Sequence, residues 1–252
     1  MKALILAAGY ATRLFPLTIN KSKSLLPICG EKTVIDFIIE KLEDIDRISQ
    51  IIIVTNNKYI TSFNEWLRER TPKKDIKIVN DGTSSVEDKL GAIGDIQFAI
   101  EKEQIEEDLL VLAGDNLFTF DISQYIDFFY EMDRDCILVK KTDSLKELQS
   151  IGVVELDPHN RVLSFEEKPE VPRSDIGVYA LYMYQKETLK LIKEYLRTGN
   201  NPDSPSHFPE WLINHKEVMA YFGNGEIYDI GTHEALHEVR SMFSEIGENR
   251  DH

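Results

Sequence analysis

Three cations, Arg13, Lys21 and Lys23, follow a turn built from the small residues Ala8, Gly9, Ala11 and Thr12. The turn is reached from a short apolar run, Ala3 to Ala7, that stops at Ala8-Gly9. Such a run reads as a buried strand feeding a loop. Small residues let backbone N–H groups approach a ligand closely, and successive N–H groups make a concavity for anions. Arg13 adds a planar fork of donors that matches phosphate. Together these residues describe a polyphosphate site; the plainer alternative is a surface turn with solvated cations. Neither of two common nucleotide loops is present. Gly9 is followed by Ala11 and Leu14 where a dinucleotide fingerprint needs glycine, and there is no Gly-Lys-Ser/Thr run. Further along, Asp115 follows Gly114 at the end of a second apolar run, Leu109 to Ala113. An acid at that point faces the ligand crevice and repels bare phosphate, a conflict that a divalent cation resolves. A helix N-cap or an Asx turn is the competing reading.

The elements that must position these groups follow from the hydrophobic pattern. Lys2–Ala7, Gln50–Thr55 and Ile76–Val79 read as strands, separated by amphipathic helices at Thr33–Ile45 and Tyr59–Arg70. Strand–helix–strand–helix–strand order predicts right-handed crossovers and a parallel sheet. Ligands in such sheets bind beyond the carboxyl ends of the strands, where the Gly9 loop sits, as does the polar loop Asn80–Ser85. A helix from Gly91 to about Glu103, a strand ending at Ala113, a helix over Ser123–Met132 and a strand over Cys136–Val139 continue the pattern. From Ile151 short strands take over: a hairpin of Ile151–Leu156 and Arg161–Phe165, then a strand over Ser174–Tyr182. Helices at Lys186–Leu196, His207–Leu212 and Glu234–Phe243 and a strand at Val218–Phe222 complete the chain. The Pro/Asn-rich loop Gly199–Pro205 fits either a mobile segment or a subunit contact, and the polar residues after Ile246 read as a frayed tail.

With 252 residues and 42% hydrophobic content, the chain can bury an ample core. A net charge of −15 argues against a nucleic-acid or anionic-membrane partner, since both need a basic face. No membrane span and no signal-like segment is visible, and two isolated cysteines, Cys29 and Cys136, suit neither a disulfide scaffold nor a zinc site. A cytoplasmic protein is the expectation. The sequence leaves open whether copies associate as a homo-oligomer.

Ala7-Ala8-Gly9-Tyr10-Ala11-Thr12-Arg13-Leu14, with Lys23-Ser24-Leu25-Leu26-Pro27 behind it, resembles the signature of the sugar-phosphate nucleotidylyltransferases, glucose-1-phosphate thymidylyltransferases among them. Three later stretches also match: Leu112-Ala-Gly-Asp115-Asn116, Glu167-Lys168-Pro169, and Tyr228-Asp229-Ile230-Gly231-Thr232. The resemblance implies a Rossmann-like α/β fold of the GT-A type: a mostly parallel sheet flanked by helices, with a small β sugar-binding region inserted. It implies one domain, residues 1–140 for the nucleotide, 141–232 for the sugar and 233–252 as a helix and tail. It further implies Mg²⁺ on Asp115 and Asp229, and catalytic roles for Arg13 and Lys23. The nucleotide falls to Leu6, Ala7, Ala8, Gly9, Thr12, Arg13, Lys23, Asn80 and Gly91. The sugar phosphate falls to Gly152, Glu167, Lys168 and Gly177. The reaction implied is transfer of NMP from an NTP, dTTP or UTP in first place, to a sugar-1-phosphate such as glucose-1-phosphate, releasing pyrophosphate. A CTP-dependent enzyme acting on a sugar or non-sugar phosphate and a non-catalytic nucleotide-binding regulator are the alternatives. Two departures stand out. Asn80 stands near a family Gln, which leaves the base undetermined. Ala11 stands where Gly is common, and alanine disfavours a positive φ there.

Overall fold

The computed structural model describes residues 1–248; the end of the polar tail expected after Ile246 lies outside the described residues. The apolar run at the N-terminus forms β1 (Lys2–Leu6), and each of its alternate side chains finds a different core. Ala3 and Ile5 enter one buried cluster and Leu4 the other. Both faces of this strand are therefore covered, which is why it reads as a continuous apolar run and not as an alternating one.

A ribbon of β2 (Pro27–Cys29) and β3 (Lys32–Thr33) leads into α1 (Val34–Glu43), which starts at a capping box. In that box the Thr33 N–H and hydroxyl both donate to Asp36 Oδ2, at 2.8 and 2.6 Å. Next come β4 (Gln50–Thr55), α2 (Ile60–Arg68), β5 (Ile76–Asn80), α3 (Ala92–Lys102) and β6 (Leu109–Ala113). The strands β5, β4, β1 and β6 lie side by side in that order and run parallel, with Leu6 in register with Val54 and with Ala113. The parallel sheet expected from the element order is thus the centre of the molecule, flanked by helices.

The second half comprises β7 (Asn116–Phe118), α4 (Ile122–Met132), β8 (Asp135–Lys141), α5 (Leu145–Leu148), β9 (Gly152–Leu156), β10 (Val162–Glu167) and β11 (Ile176–Tyr184). It ends with α6 (Lys186–Arg197), α7 (His207–Leu212), β12 (Val218–Phe222), β13 (Ile227–Asp229) and α8 (His233–Glu248). The later strands extend the same sheet: β11 joins β6 antiparallel, and β9, β10, β8 and β12 build outward from β11. Two ribbons, β2 with β3 and β7 with β13, escape the hydrophobic pattern because segments of two or three residues carry no period. Among the described residues no helix is long and apolar enough to cross a membrane.

Candidate active site

The carboxyl end of β1 opens into the small-residue loop, and the loop is held from beneath. Asn56 Nδ2 donates to the Ala8 carbonyl at 2.6 Å and Thr55 Oγ1 to that of Ala7 at 3.2 Å. Gly114 N donates to Leu6 O at 2.9 Å. A Cβ on Gly114 would stand 2.8 Å from that same oxygen, so only glycine lets β6 come this close. The Tyr59 hydroxyl donates to the carbonyls of Tyr10 and Thr18, at 3.1 and 2.8 Å. Ala11 itself takes the left-handed conformation, φ +48° and ψ +44°, contrary to what alanine favours. Its carbonyl accepts from Thr18 Oγ1 at 2.8 Å and from Leu14 N at 3.0 Å. That locked turn offsets a conformational cost of ~1–2 kcal/mol.

Above this loop is a cleft of about 400 Å³, lined by Leu6, Ala8, Gly9, Thr12, Arg13, Lys23, Gly91 and Asp115 among others. Eight of the residues singled out from the sequence therefore converge on one cavity. Arg13 makes no ion pair among the described residues. Lys23 Nζ donates to Asp115 Oδ2. Asp229 arrives from the opposite end of the chain because β13 pairs with β7, placing Asp229 opposite Asn116 and Ile230 N 3.1 Å from the Asp115 carbonyl. The two carboxyls lie within hydrogen-bonding reach, and Asp229 is pushed up to about 6 by burial and then by the Asp115 charge, against the pull of Lys23 and Arg13. Asp115 and Asp229, the two acids that the resemblance gives as magnesium ligands, therefore stand side by side. Among the described residues no cluster of three or more His, Cys, Asp or Glu could hold a metal. Two carboxylates nonetheless suit Mg²⁺, which usually keeps waters and substrate phosphates as its other ligands.

The remaining predicted residues take other places. Ala7 is buried beneath the loop. Asn80 lies outside the cleft lining: its amide donates to Asn57 Oδ1 at 2.6 Å and its carbonyl accepts from Gly82 N at 3.0 Å. The next residue, Asp81, faces the cleft instead. Gly152, Glu167 and Gly177 gather where β9 meets β10 and β11, with Glu167 opposite Gly152 and Gly177 opposite Val153. A Cβ on Gly152 would lie 3.4 Å from Glu167 Oε2. Glu167 adjoins the cleft through Ser204, whose hydroxyl donates to Oε1 at 3.1 Å, while Oε2 is buried with no donor. Lys168 is exposed, 3.5 Å from Glu167.

Several residues at the cleft were not singled out from the sequence as site residues: Asp203 and Pro205, Asp95, and Asp81, of which only the loop was expected at the ligand end. Asp203 and Pro205 come from the Pro/Asn-rich loop, which is neither free nor remote: Ile93 N donates to Pro202 O at 2.9 Å. Gly91, at φ +78°, makes room for that loop, since a Cβ there would stand 2.6 Å from Pro202 O. Asp81 and Asp95 both line the cleft and are 9% and 7% exposed. Thr83 donates to Asp81 Oδ1 through its N–H at 2.7 Å and its hydroxyl at 2.9 Å. Burial raises both acids, and Asp81 adds its charge to push Asp95 up to about 8. A buried Asp one turn inside an amphipathic helix was the available clue. A larger cavity of about 550 Å³ lies apart, walled by Phe37, Leu117, Phe118 and Phe243 among others.

This chain matches the nucleotidyl transferase family over residues 2–245. It belongs to that family. Among curated relatives it is 29% identical over 232 residues to the bifunctional protein GlmU of Methanocaldococcus jannaschii, covering 92% of this chain and 51% of that protein. It is 27% identical over 259 residues to the glucose-1-phosphate adenylyltransferase of Bacillus mycoides, covering 94% of this chain and 66% of that one. The chain thus spans about half to two thirds of the length of these relatives. A crystal structure from Bacillus anthracis, assigned as a glucose-1-phosphate thymidylyltransferase in complex with sucrose, superposes with a TM-score of 0.83. It covers 97% of this chain and 95% of its own at 24% identity, and that likeness concerns the fold.

Proposed function

We propose that this nucleotidyl transferase joins an NTP to a sugar-1-phosphate, glucose-1-phosphate in first place, to give an NDP-sugar and pyrophosphate. The observation that carries the reading is the meeting of Asp115, Asp229 and Lys23 beside Arg13 at the mouth of the Gly9 loop. A phosphate oxygen of the sugar phosphate attacks the α-phosphorus of the NTP, and the bond to the β-phosphate oxygen breaks, releasing pyrophosphate. The nucleophile is already an anion, so no general base is needed. The obstacle is repulsion between two polyanions. Unit charges ~4 Å apart repel by about 1 kcal/mol in water and several-fold more in a partly dry cleft.

Positioning and charge neutralisation are therefore the protein's task. Backbone groups from Leu6 to Gly9 hold the nucleoside. The unpaired Arg13 takes the departing pyrophosphate charge, and Lys23 takes the charge that grows on the α-phosphoryl group. Mg²⁺, when bound by Asp115 and Asp229, supplies neutralisation and Lewis acidity at the phosphates. Glu167 is the carboxylate that would accept from sugar hydroxyls, and Lys168, exposed at the surface beside it, meets the sugar's phosphate. The test is pyrophosphate release from the purified chain with each NTP crossed against sugar-1-phosphates, with and without Mg²⁺. Release with glucose-1-phosphate or another sugar-1-phosphate is expected; release only with phosphocholine or a polyol phosphate, or none at all, overturns the reading.

A further inference from the structure

The loop that runs from α6 to α7 reaches both substrates of the proposed reaction. Asp203 and Pro205 line the nucleotide cleft, whereas Ser204, between them, donates its hydroxyl to Glu167 Oε1 at 3.1 Å. The loop is fixed where it stands. The Tyr195 hydroxyl donates to Asn201 O at 2.6 Å, Ile93 N to Pro202 O at 2.9 Å and Asp203 N to Asn201 Oδ1 at 3.0 Å. Pro202 and Pro205 restrict φ on either side. The Ser204 hydroxyl is therefore presented from a rigid support.

Its proton has one destination. A carboxylate only accepts, so Ser204 is the donor to Glu167. The hydroxyl oxygens of Ser204 and Ser206 are 2.6 Å apart, and with its own proton engaged Ser204 accepts there from the buried Ser206. Both hydrogens thus point toward Glu167, and each bond polarises the next. Lys168 Nζ also stands near Oε1, 3.5 Å away, on a side chain that is 57% exposed. An exposed pair of that kind fixes little, and the ammonium leaves Glu167 when it turns to the sugar's phosphate. Oε2 is closed off and has no donor. Among the described residues, the Ser204 hydroxyl is the side-chain donor left to hold the carboxyl once Lys168 has turned away.

We propose that Ser204 is a positioning residue for the sugar phosphate: it fixes Glu167 Oε1 so that the remaining lone pair of that oxygen meets a sugar hydroxyl. The proposal rests on the reading of Glu167 as the sugar-binding carboxylate. Ser204 does not touch the reacting phosphates, so its loss weakens sugar binding and leaves the chemical step alone.

The experiment measures pyrophosphate release by wild type, Ser204→Ala, Ser204→Thr, Glu167→Ala and the double variant Ser204→Ala/Glu167→Ala, with the NTP and sugar-1-phosphate that the wild type uses best. Ser204→Ala should raise KM for the sugar-1-phosphate by about tenfold or more, the scale of a hydrogen bond to a charged group, and leave kcat and KM for the NTP within about twofold. Ser204→Thr keeps the hydroxyl and should behave as wild type. In the Glu167→Ala background the loss of Ser204 should add nothing. Calorimetric binding of ADP-, CDP-, GDP-, UDP- and dTDP-glucose gives the same comparison where turnover is lost. A Ser204→Ala variant with an unchanged sugar KM, a Thr variant as impaired as Ala, or a Ser204 effect that persists without Glu167 overturns the proposal. If Glu167→Ala raises the sugar KM and Ser204→Ala does not, this proposal alone falls. A Glu167→Ala variant with the wild-type sugar KM, or a wild type that neither releases pyrophosphate nor binds any of these nucleotide sugars, overturns the underlying reading and the proposal together.

Discussion

Replacing Asp95 by Asn should make the protein more stable at neutral pH, by an amount that grows with pH. Asp95 carries its proton to about pH 8 in the folded chain, because burial and the neighbouring Asp81 disfavour the charge; the reference value is 3.8. The sign follows from proton counting. Between those two values the unfolded chain has released the proton and the folded chain has kept it, so the folded state binds more protons and stability falls as pH rises. Protonation of Asp95 therefore favours folding fully below about pH 4, and that contribution is lost as pH climbs through about 8. One proton corresponds to ~1.4 kcal/mol per pH unit, which sets a ceiling of ~6 kcal/mol over the whole window. Between pH 5.5 and 7.5 the difference between variant and wild type should widen by ~2–3 kcal/mol, or roughly 5–10 °C in Tm at this chain length. Asp229 also titrates abnormally but is present in both proteins, whereas Asp81 is hydrogen-bonded to Asp95, so the difference reports the Asp81–Asp95 pair as a unit. Urea denaturation of both proteins at pH 5.5, 6.5 and 7.5 gives the curves. Parallel profiles, or a variant weaker than wild type at pH 7.5, would refute the reasoning.

Three further outcomes are expected. Arg13→Ala and Asp115→Ala should each lower pyrophosphate release by ~10²–10³ with an unchanged far-UV circular dichroism spectrum; turnover like that of wild type in either would remove that residue from the reaction. At Ala11, held at φ +48°, substitution by Gly should leave stability equal or raise it by up to ~1 kcal/mol, whereas Val should lower it by ~2 kcal/mol or more. Chemical denaturation decides this, and equal losses for both would show that the turn conformation is not what matters. Asp36 holds together the α1 cap, the Arg70 guanidinium at 2.5 and 2.8 Å and the Trp66 indole N–H at 2.9 Å. Asp36→Ala should therefore lower stability by ~3 kcal/mol in the same assay, and a loss below about 1 kcal/mol would show these bonds to be dispensable.

Much of the framework was legible before any coordinates. β1, α1, β4 and β6 are long enough for their apolar pattern to declare itself, and Gly9 and Gly114 mark where strands give way to loops. The position of Asp115 follows from the same rule, since it needs only the end of its own strand. These are local facts, carried by neighbours a few residues apart. The motif resemblance added Asp229, which its own surroundings would not have distinguished from an ordinary turn acid.

What only the folded chain decided are the pairings across long stretches of sequence. Asp229 reaches Asp115 through β7 and β13, three-residue strands whose mutual register no periodicity can reveal. The sugar-side strands join the main sheet through β11 rather than forming a sheet of their own, a choice made by burial of both faces. Loop Gly199–Pro205 has the composition of a free segment, but the open backbone at Gly91 lets it dock and become part of the cleft wall. Asp81 and Asp95 belong to a loop and a helix that each look ordinary alone. Their joint burial gives them a shared proton, because two charges cannot be desolvated side by side, and that is a property of the tertiary structure and of neither segment.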